Sequence, residues 1–271
     1  MRLFFIGLLL VACKKDAPLW KIQNLNQNRI AVIGHGGMGI LNRDPMNSFN
    51  SLQEAIALSS DGTEMDVQMS ADHQLWLFHP NTLNEGTNGS GSLRSKTDAQ
   101  LNTIHYTHPI GKKPALIQAR YFFEKANHQS GKTFVFDCKV ESREEEVFLY
   151  SFVEALLALI KQHELTDKCL IESYNIDFLK KLQAANPELR LFIHGDRLSD
   201  CLEAAKYVKL YGITMDRNKI TVEEIAEAHR QNLRVALFNL DTKSENLEGI
   251  SMSPDYLQTD KLDYLLEVLK H

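Results

Sequence analysis

Eight short runs rich in β-branched and aromatic residues, alternating with longer helix-like stretches, constrain this chain more than any other feature. The runs cover 29–33, 63–68, 133–139, 169–173, 190–194, 212–216, 234–239 and 256–260. Helical segments between them include 48–58, 144–163, 176–185, 221–231 and 260–269. In 144–163, apolar residues recur at Val147, Phe148, Phe152, Ala155, Leu156, Leu159 and Ile160. Repeated strand–helix units build a parallel sheet, because a crossover between parallel strands is long enough to carry a helix. Eight of them in 271 residues favour a closed TIM-type (β/α)8 barrel over an open sheet. One stretch, 75–131, breaks the alternation after the second run. Long irregular inserts in compact domains are usually functional, and this one follows the end of a barrel strand where such folds assemble their sites. It is read as a cap over the site.

The chain's beginning lies outside that repeat. Arg2, an apolar run over 3–12 and Cys13 form a secretory signal that is too short to span a bilayer stably. Leu10-Val11-Ala12-Cys13 resembles the lipobox of bacterial lipoproteins. That resemblance implies a signal over 1–12, an acylated Cys13 with a tether over 13–27, and one barrel domain over 28–271, held on a membrane of the bacterial cell envelope. An ordinary cleaved signal, or a soluble N-terminus with a chance cysteine, is the alternative. The net charge of −5 and the lack of a basic stripe exclude nucleic acid as a partner, and no obligate protein partner is evident. Cys138, Cys169 and Cys201 lack metal-ligand spacing and are expected to be buried free thiols, although an oxidising compartment would permit one bridge.

The chemistry-bearing residues stand at the ends of strand-like runs: His35 in Gly34-His35-Gly36-Gly37, Glu64 and Asp66 two apart in Glu64-Met65-Asp66, and His79 in Leu77-Phe78-His79-Pro80. Residues two apart on a strand share a face, so both carboxylates project together. Carboxylates are depleted in strands and rarely buried unpaired, so a metal site flanked by acid–base groups is the expected reading. Between Asp66 and His79 a hairpin turning on Ala71 to Gln74 pairs residues whose numbers sum to 145, which sets Asp66 opposite His79.

In order along the chain come His35-Gly36-Gly37, Pro45-Met46-Asn47-Ser48, Glu64-Met65-Asp66-Val67-Gln68, Phe78-His79, Gly86-Thr87-Asn88-Gly89-Ser90-Gly91, Phe136-Asp137-Cys138-Lys139, Phe238-Asn239 and Leu257-Gln258-Thr259-Asp260. Together these resemble the glycerophosphodiester phosphodiesterases, whose pattern runs roughly HRG, PENT, ExDV, HD, TNG-G, ExK, WTVN and a closing TD. The resemblance implies metal-dependent hydrolysis of a small phosphodiester to glycerol 3-phosphate and an alcohol, with His35 and His79 as the acid–base pair. Such a reaction must neutralise the phosphate, activate a nucleophile and protonate the leaving alkoxide. One divalent cation, Ca2+ or Mg2+, held by Glu64, Asp66 and Asp137, serves the first need. Lys139, on the same face as Asp137, is expected to bind substrate, and Phe238 to line the glycerol pocket. Attack by water and attack by a glycerol hydroxyl through a cyclic phosphodiester both remain open.

The departures from the pattern are specific. Gly36 stands where the family has arginine, Met46 where it has glutamate, Asp137 is a methylene shorter than the usual ligand, Pro80 replaces an aspartate and Phe238 a tryptophan. Arg43 is the candidate to restore a cation near the phosphate. His194, Glu172 and Asp216 are weaker candidates for substrate or auxiliary contacts, and Asp260 is read as a helix cap. His73, His105, His108, His128, His163, His229 and His271 are expected at the surface. Two other readings stay open: a phosphoinositide phospholipase C-like lyase, and a non-catalytic lipid-anchored binding protein that keeps the pocket.

Overall fold

A computed structural model describes residues 20–40, 42–108, 113–141 and 143–269. Cys13, the signal run and His271 lie outside the described residues. The expected strands appear as β1 (Ala31–Gly34), β2 (Gly62–Met69), β5 (Thr133–Cys138), β6 (Cys169–Ser173), β7 (Arg190–Gly195), β8 (Gly212–Asp216), β9 (Arg234–Phe238) and β10 (Tyr256–Thr259). They pair in parallel in the order β1-β10-β9-β8-β7-β6-β5-β2, and a β1–β2 pairing closes the ring, so the fold is an eight-stranded parallel barrel of TIM type. Around it lie α1 (Phe49–Ala57), α3 (Ala119–Lys125), α4 (Glu146–Gln162), α5 (Ile176–Ala185), α6 (Leu198–Ala204), α7 (Val222–Arg230), α8 (Lys243–Ser251) and α9 (Leu262–Leu269). Local chemistry starts several of them. Ser48 caps α1 through the Ser51 N–H, and capping boxes pair Thr221 with Glu224 at α7 and Thr242 with Glu245 at α8.

Strand alternation sorts side chains into two cores. Val32, Met65, Phe136, Ile171, Leu191 and Leu257 point outward into the layer shared with the helices. Ala31, Ile33, Val135, Leu170, Phe192, Ala236 and Tyr256 fill the barrel axis. Continuing the inward parity toward the strand ends exchanges this apolar plug for Glu64, Asp66, Asp137, Glu172, His194, Thr214 and Gln258, all buried. In α4 the buried stripe is Leu149, Phe152, Val153, Leu156, Leu159 and Ile160, whereas Val147, ahead of the first buried position, is 75% exposed.

β2 is the longest strand because it serves three neighbours. Its start pairs with β1, its middle with β5, and its end, beyond the last residue of β1, with β3 (Leu75–Leu77), which in turn pairs with β4 (Ile117–Gln118). This extension and α2 (Asp98–Leu101) surround a core of their own: Trp76, Phe78, Leu83, Leu93, Leu101, Ile104, Tyr106 and Leu116. The segment after Gln118 turns back to the barrel, where Phe122 and Phe123 of α3 join the main core.

The hairpin register differs from expectation. Val67 faces Leu77 and Met69 faces Leu75, a sum of 144, so Asp66 lies opposite Phe78, whose N–H donates to the Asp66 carbonyl at 3.0 Å. The cause is the turn: His73 takes a left-handed φ of 57° and the Ser70 N–H closes on the Gln74 carbonyl, leaving a three-residue loop instead of four. At the other end of the barrel, residues 20–27, expected to belong to a tether, are docked. Trp20 and Ile22 pack on the core, the Leu25 N–H donates to Asp255 Oδ1 at 2.8 Å, and Asn24 Nδ2 donates to the Pro254 carbonyl at 2.7 Å. Asp255 also accepts from the Val235 N–H and pairs with His229 Nε2 at 2.8 Å, so His229 is a part-buried strut and not a surface residue. Cys138, Cys169 and Cys201 are free and buried as expected, and burial raises all three thiol pKa values, Cys169 and Cys201 to about 12.

Candidate active site

The inward parity of β2 and β5 brings three carboxylates together. Glu64 and Asp66 share the inner face of β2, and Asp66 is the register partner of Asp137 on β5. Each of Glu64, Asp66 and Asp137 offers an oxygen within 4.8 Å of the others, and all three residues are buried. Lys139 answers part of this charge, with Nζ 2.7 Å from Asp66 Oδ1 and 2.5 Å from Asp137 Oδ2. Asn47 completes the cradle. Its Nδ2 donates to Asp66 Oδ2 at 2.6 Å, and its Oδ1 accepts from the Asp66 N–H at 2.9 Å. A left-handed φ of 62°, which asparagine tolerates better than most residues, aims it there.

Glu64 is less well served. Oε2 accepts from the Gly36 N–H at 2.7 Å, but Oε1 is buried without a hydrogen-bond partner. Burial, with Asp66 and Asp137 adding repulsion, raises its pKa well above the ordinary carboxylate value. Asp66 goes the other way: burial opposes ionisation, yet the Lys139, His79 and His35 charges hold its pKa down to about 2. A buried, oxygen-only donor set with one orphaned carboxylate oxygen is short of positive charge, and this is the environment that a hard divalent cation such as Ca2+ or Mg2+ satisfies. The donor set therefore fits the ion the sequence implied.

His35 follows β1, with its N–H on the Thr259 carbonyl and its Nδ1 3.1 Å from Asp260 Oδ1. Burial disfavours the imidazolium, but the Asp260 hydrogen bond and the Glu64, Asp260 and Asp66 charges outweigh it, so the pKa rises to about 10. Asp260 was expected to cap the last helix. Instead it grips His35 and accepts from the Ile40 N–H at 3.0 Å, because the inward parity of β10 carries it to the barrel mouth. His79 lies just past β3, exposed, where Gln68 Nε2 donates to the Phe78 and Pro80 carbonyls at 2.7 and 2.9 Å and so fixes the peptides on either side. His79 lines one cavity with Asp137 and with Lys139, the lysine that pairs with Asp66.

The remaining expected residues are distributed differently. Arg43 is not drawn into the cluster: its side chain is 68% exposed and its guanidinium pairs with Asp44 at 3.2 Å and more loosely with Glu54 on α1. Gly36 and Met46, the two departures from the family's charged residues, face each other. A Cβ on Gly36 would lie 2.6–2.8 Å from Met46 carbons, and Gly36 has a φ of 55°. An apolar contact thus stands where two charges would. Phe238 ends β9 at the mouth, its ring 5.3 Å from His194, which on its other side meets Tyr174 at 4.5 Å. Glu172 accepts from Thr214 and Gln258 and lies 3.6 Å from His194 Nε2, which places it within the barrel and outside the three-carboxylate group. Asp216 is engaged by Asn218 and Asn239.

Sequence reasoning missed Asn47, Gln68, Asp260 and Tyr106 as parts of the site. Tyr106 reaches in from the extension; its hydroxyl donates to the Met46 carbonyl at 3.1 Å, and burial beside Asp66 raises its pKa. Asn47 and Gln68 lay inside quoted motifs, so a signal existed for them. Tyr106 carried none.

A sequence profile of the glycerophosphoryl diester phosphodiesterase family matches residues 35–264. The glycerophosphodiester phosphodiesterase of Caldanaerobacter subterraneus subsp. tengcongensis is 22% identical over 228 residues, covering 83% of this chain and 93% of that protein. The Bacillus subtilis glycerophosphodiester phosphodiesterase is 23% identical over 206 residues, 70% of this chain and 68% of its own. Among solved structures, an Oleispira antarctica phosphodiesterase in complex with the product sn-glycerol-3-phosphate superposes with a TM-score of 0.77 at 19% identity, covering 89% of this chain and 97% of that one. A glycerophosphodiester phosphodiesterase from Parabacteroides distasonis gives 0.76 at 18% identity, with coverage of 89% and 97%.

Proposed function

From the premise that this chain belongs to the glycerophosphoryl diester phosphodiesterase family, and is thereby a phosphoric diester hydrolase, we propose that it cleaves glycerophosphodiesters to glycerol 3-phosphate and an alcohol by metal-dependent acid–base chemistry at His35 and His79. The observation that carries the proposal is the convergence of Glu64, Asp66 and Asp137 at the carboxyl ends of the barrel strands, where His79 lines a cavity with Asp137 and Gly36, next to His35, donates to Glu64. Glu64, Asp66 and Asp137 hold the divalent cation, and when bound it supplies charge neutralisation at the phosphate oxygens.

The protein's own groups do the rest. Asp260 holds His35 through Nδ1, which fixes the ring and leaves Nε2 for proton transfer. Gln68 orients the peptides around His79 so that its imidazole faces the same phosphate from the other side. One imidazole takes the proton of the attacking hydroxyl, and the other delivers a proton to the departing alkoxide. Lys139, tied to Asp66 and Asp137, supplies a fixed cation beside the phosphate, and Phe238 supplies an apolar wall for the glycerol carbons. The extension built on β3 and β4 acts as a cap on the His79 side.

The direct test follows glycerol 3-phosphate release from glycerophosphocholine with Ca2+, Mg2+ or EDTA. Activity should appear with one of the cations, vanish with EDTA, and fall by about 10²-fold or more in His35→Ala and in His79→Ala. Turnover that survives both chelation and the two alanine variants would sink the mechanism. Anchoring belongs to the same proposal: acylation of Cys13 holds the barrel at a bacterial cell envelope, beside diesters released from phospholipid. Cys13→Ala should then move the protein from the membrane fraction to the soluble fraction.

A further inference from the structure

We propose that the cavity on the His79 side of the carboxylate cluster seats the leaving alcohol and selects an ammonium alcohol, with Glu141 and Tyr174 as the selecting groups. The inference rests on the phosphodiesterase reading above and deepens it. A cavity of about 570 Å³ adjoins the site, lined by His79, Asp137 and Lys139 and also by Arg94, Glu141 and Tyr174. It lies between the extension and the loops that follow β5 and β6. Phe238 stands on β9, across the barrel from β5, and is not among the residues that line this cavity.

Charge decides what the cavity accepts. Its two permanent cations are already committed. Lys139 bridges Asp66 and Asp137, and Arg94 makes two hydrogen bonds to Glu144, at 2.9 and 3.2 Å, while its guanidinium lies 4.1 Å over the Phe148 ring. The exposed carboxylate of Glu141 has no hydrogen bond or ion pair among the described residues, and it lines the cavity together with Tyr174, a residue 51% exposed. A carboxylate without a protein partner near a half-exposed aromatic ring is a pairing that holds a quaternary or primary ammonium group. The same carboxylate repels a second anionic group, and it offers a neutral polyol hydrogen bonds but no charge pairing.

The test compares kcat/KM for glycerophosphocholine and glycerophosphoglycerol in the metal-loaded enzyme. Wild type should prefer the choline ester by about tenfold or more, and Glu141→Lys and Tyr174→Ala should each reduce that preference to about threefold or less. Equal cleavage of the two esters, or a preference that survives both variants, overturns the assignment while leaving the phosphodiesterase reading intact. A protein that releases glycerol 3-phosphate from no diester sinks that reading instead. Binding then decides the pocket on its own: choline chloride titrated into the ¹⁵N-labelled protein with inorganic phosphate should shift the amides of Lys139, Glu141 and Tyr174 in wild type and leave them unmoved in Glu141→Lys. Unmoved wild-type amides overturn the proposal.

Discussion

At the scale of single residues, the site is governed by an excess of buried negative charge, and His35 registers it. In the metal-free protein its pKa stands at about 10, against an ordinary value of 6.5, in large part through Asp260. A group whose folded pKa is raised stabilises the fold fully below its unfolded pKa and loses that contribution as pH climbs through the folded value. The stabilisation from His35 is therefore present below about pH 6.5 and gone above about pH 10. Asp260→Asn should lower the His35 midpoint seen by NMR in EDTA and flatten the fall in melting temperature between these limits. With metal bound, the same variant should reduce kcat by about 10–100-fold with little change in KM, since it frees the ring without touching substrate. An unshifted His35 titration would remove Asp260 from this role. Lys139 makes the complementary case. Lys139→Met leaves Asp66 and Asp137 facing each other, a loss of about 3–5 kcal/mol for a buried pair with one partner removed. The metal-free melting temperature should fall by about 6–20 °C by calorimetry, and Ca2+ should recover most of the loss. Equal losses with and without Ca2+ would show that the ammonium and the metal do not answer the same charge.

At the scale of elements, the barrel strands could be read from the chain because each is a dense β-branched or aromatic run, and the observed bounds of β6 and β8 coincide with the expected ones. The short helices were harder. α6 is only seven residues long, and α8 is largely polar and owes its start to the Thr242/Glu245 capping box more than to an apolar stripe. The hairpin register failed by one residue because a left-handed His73 is not foreseeable where asparagine or glycine would be the usual signal. The extension carries a core separate from the barrel's, which predicts a separable response to damage. Trp76, 1% exposed, fills that core and donates from Nε1 to Asp98 Oδ1 at 2.8 Å. Trp76→Ala should cost about 3–5 kcal/mol locally. Hydrogen exchange should accelerate across residues 75–118 while β6 to β9 keep their protection, and activity should fall because His79 loses its footing. Uniform acceleration through the barrel would show one cooperative unit instead.

At the scale of the whole molecule, the motifs named candidate residues and the barrel brings three of them, Glu64, Asp66 and Asp137, together. Glu64, Asp66, Asp137, His35 and His79 were all legible as strand-end residues, whereas the grip of Asp260 on His35 and the reach of Tyr106 arise only when distant segments are folded together. The same closure concentrates three carboxylates against one lysine, so the folded barrel is incomplete electrostatically, and cation binding should report on the entire fold. A ligand at 100 times its Kd adds about 2.7 kcal/mol to stability, which for a domain of this size is a rise of about 5–11 °C in melting temperature. Binding should also expel protons. Without a cation, burial raises the Glu64 pKa above the ordinary carboxylate range, and His35 stays protonated to about pH 10; a cation held by Glu64 favours the deprotonated form of both. Affinity for Ca2+ or Mg2+ should therefore weaken as pH falls. Titration calorimetry at pH 7 in two buffers of different ionisation enthalpy measures the proton count directly: a net release supports the three-carboxylate site, and neither heat nor a melting shift with either ion would remove the metal from this barrel.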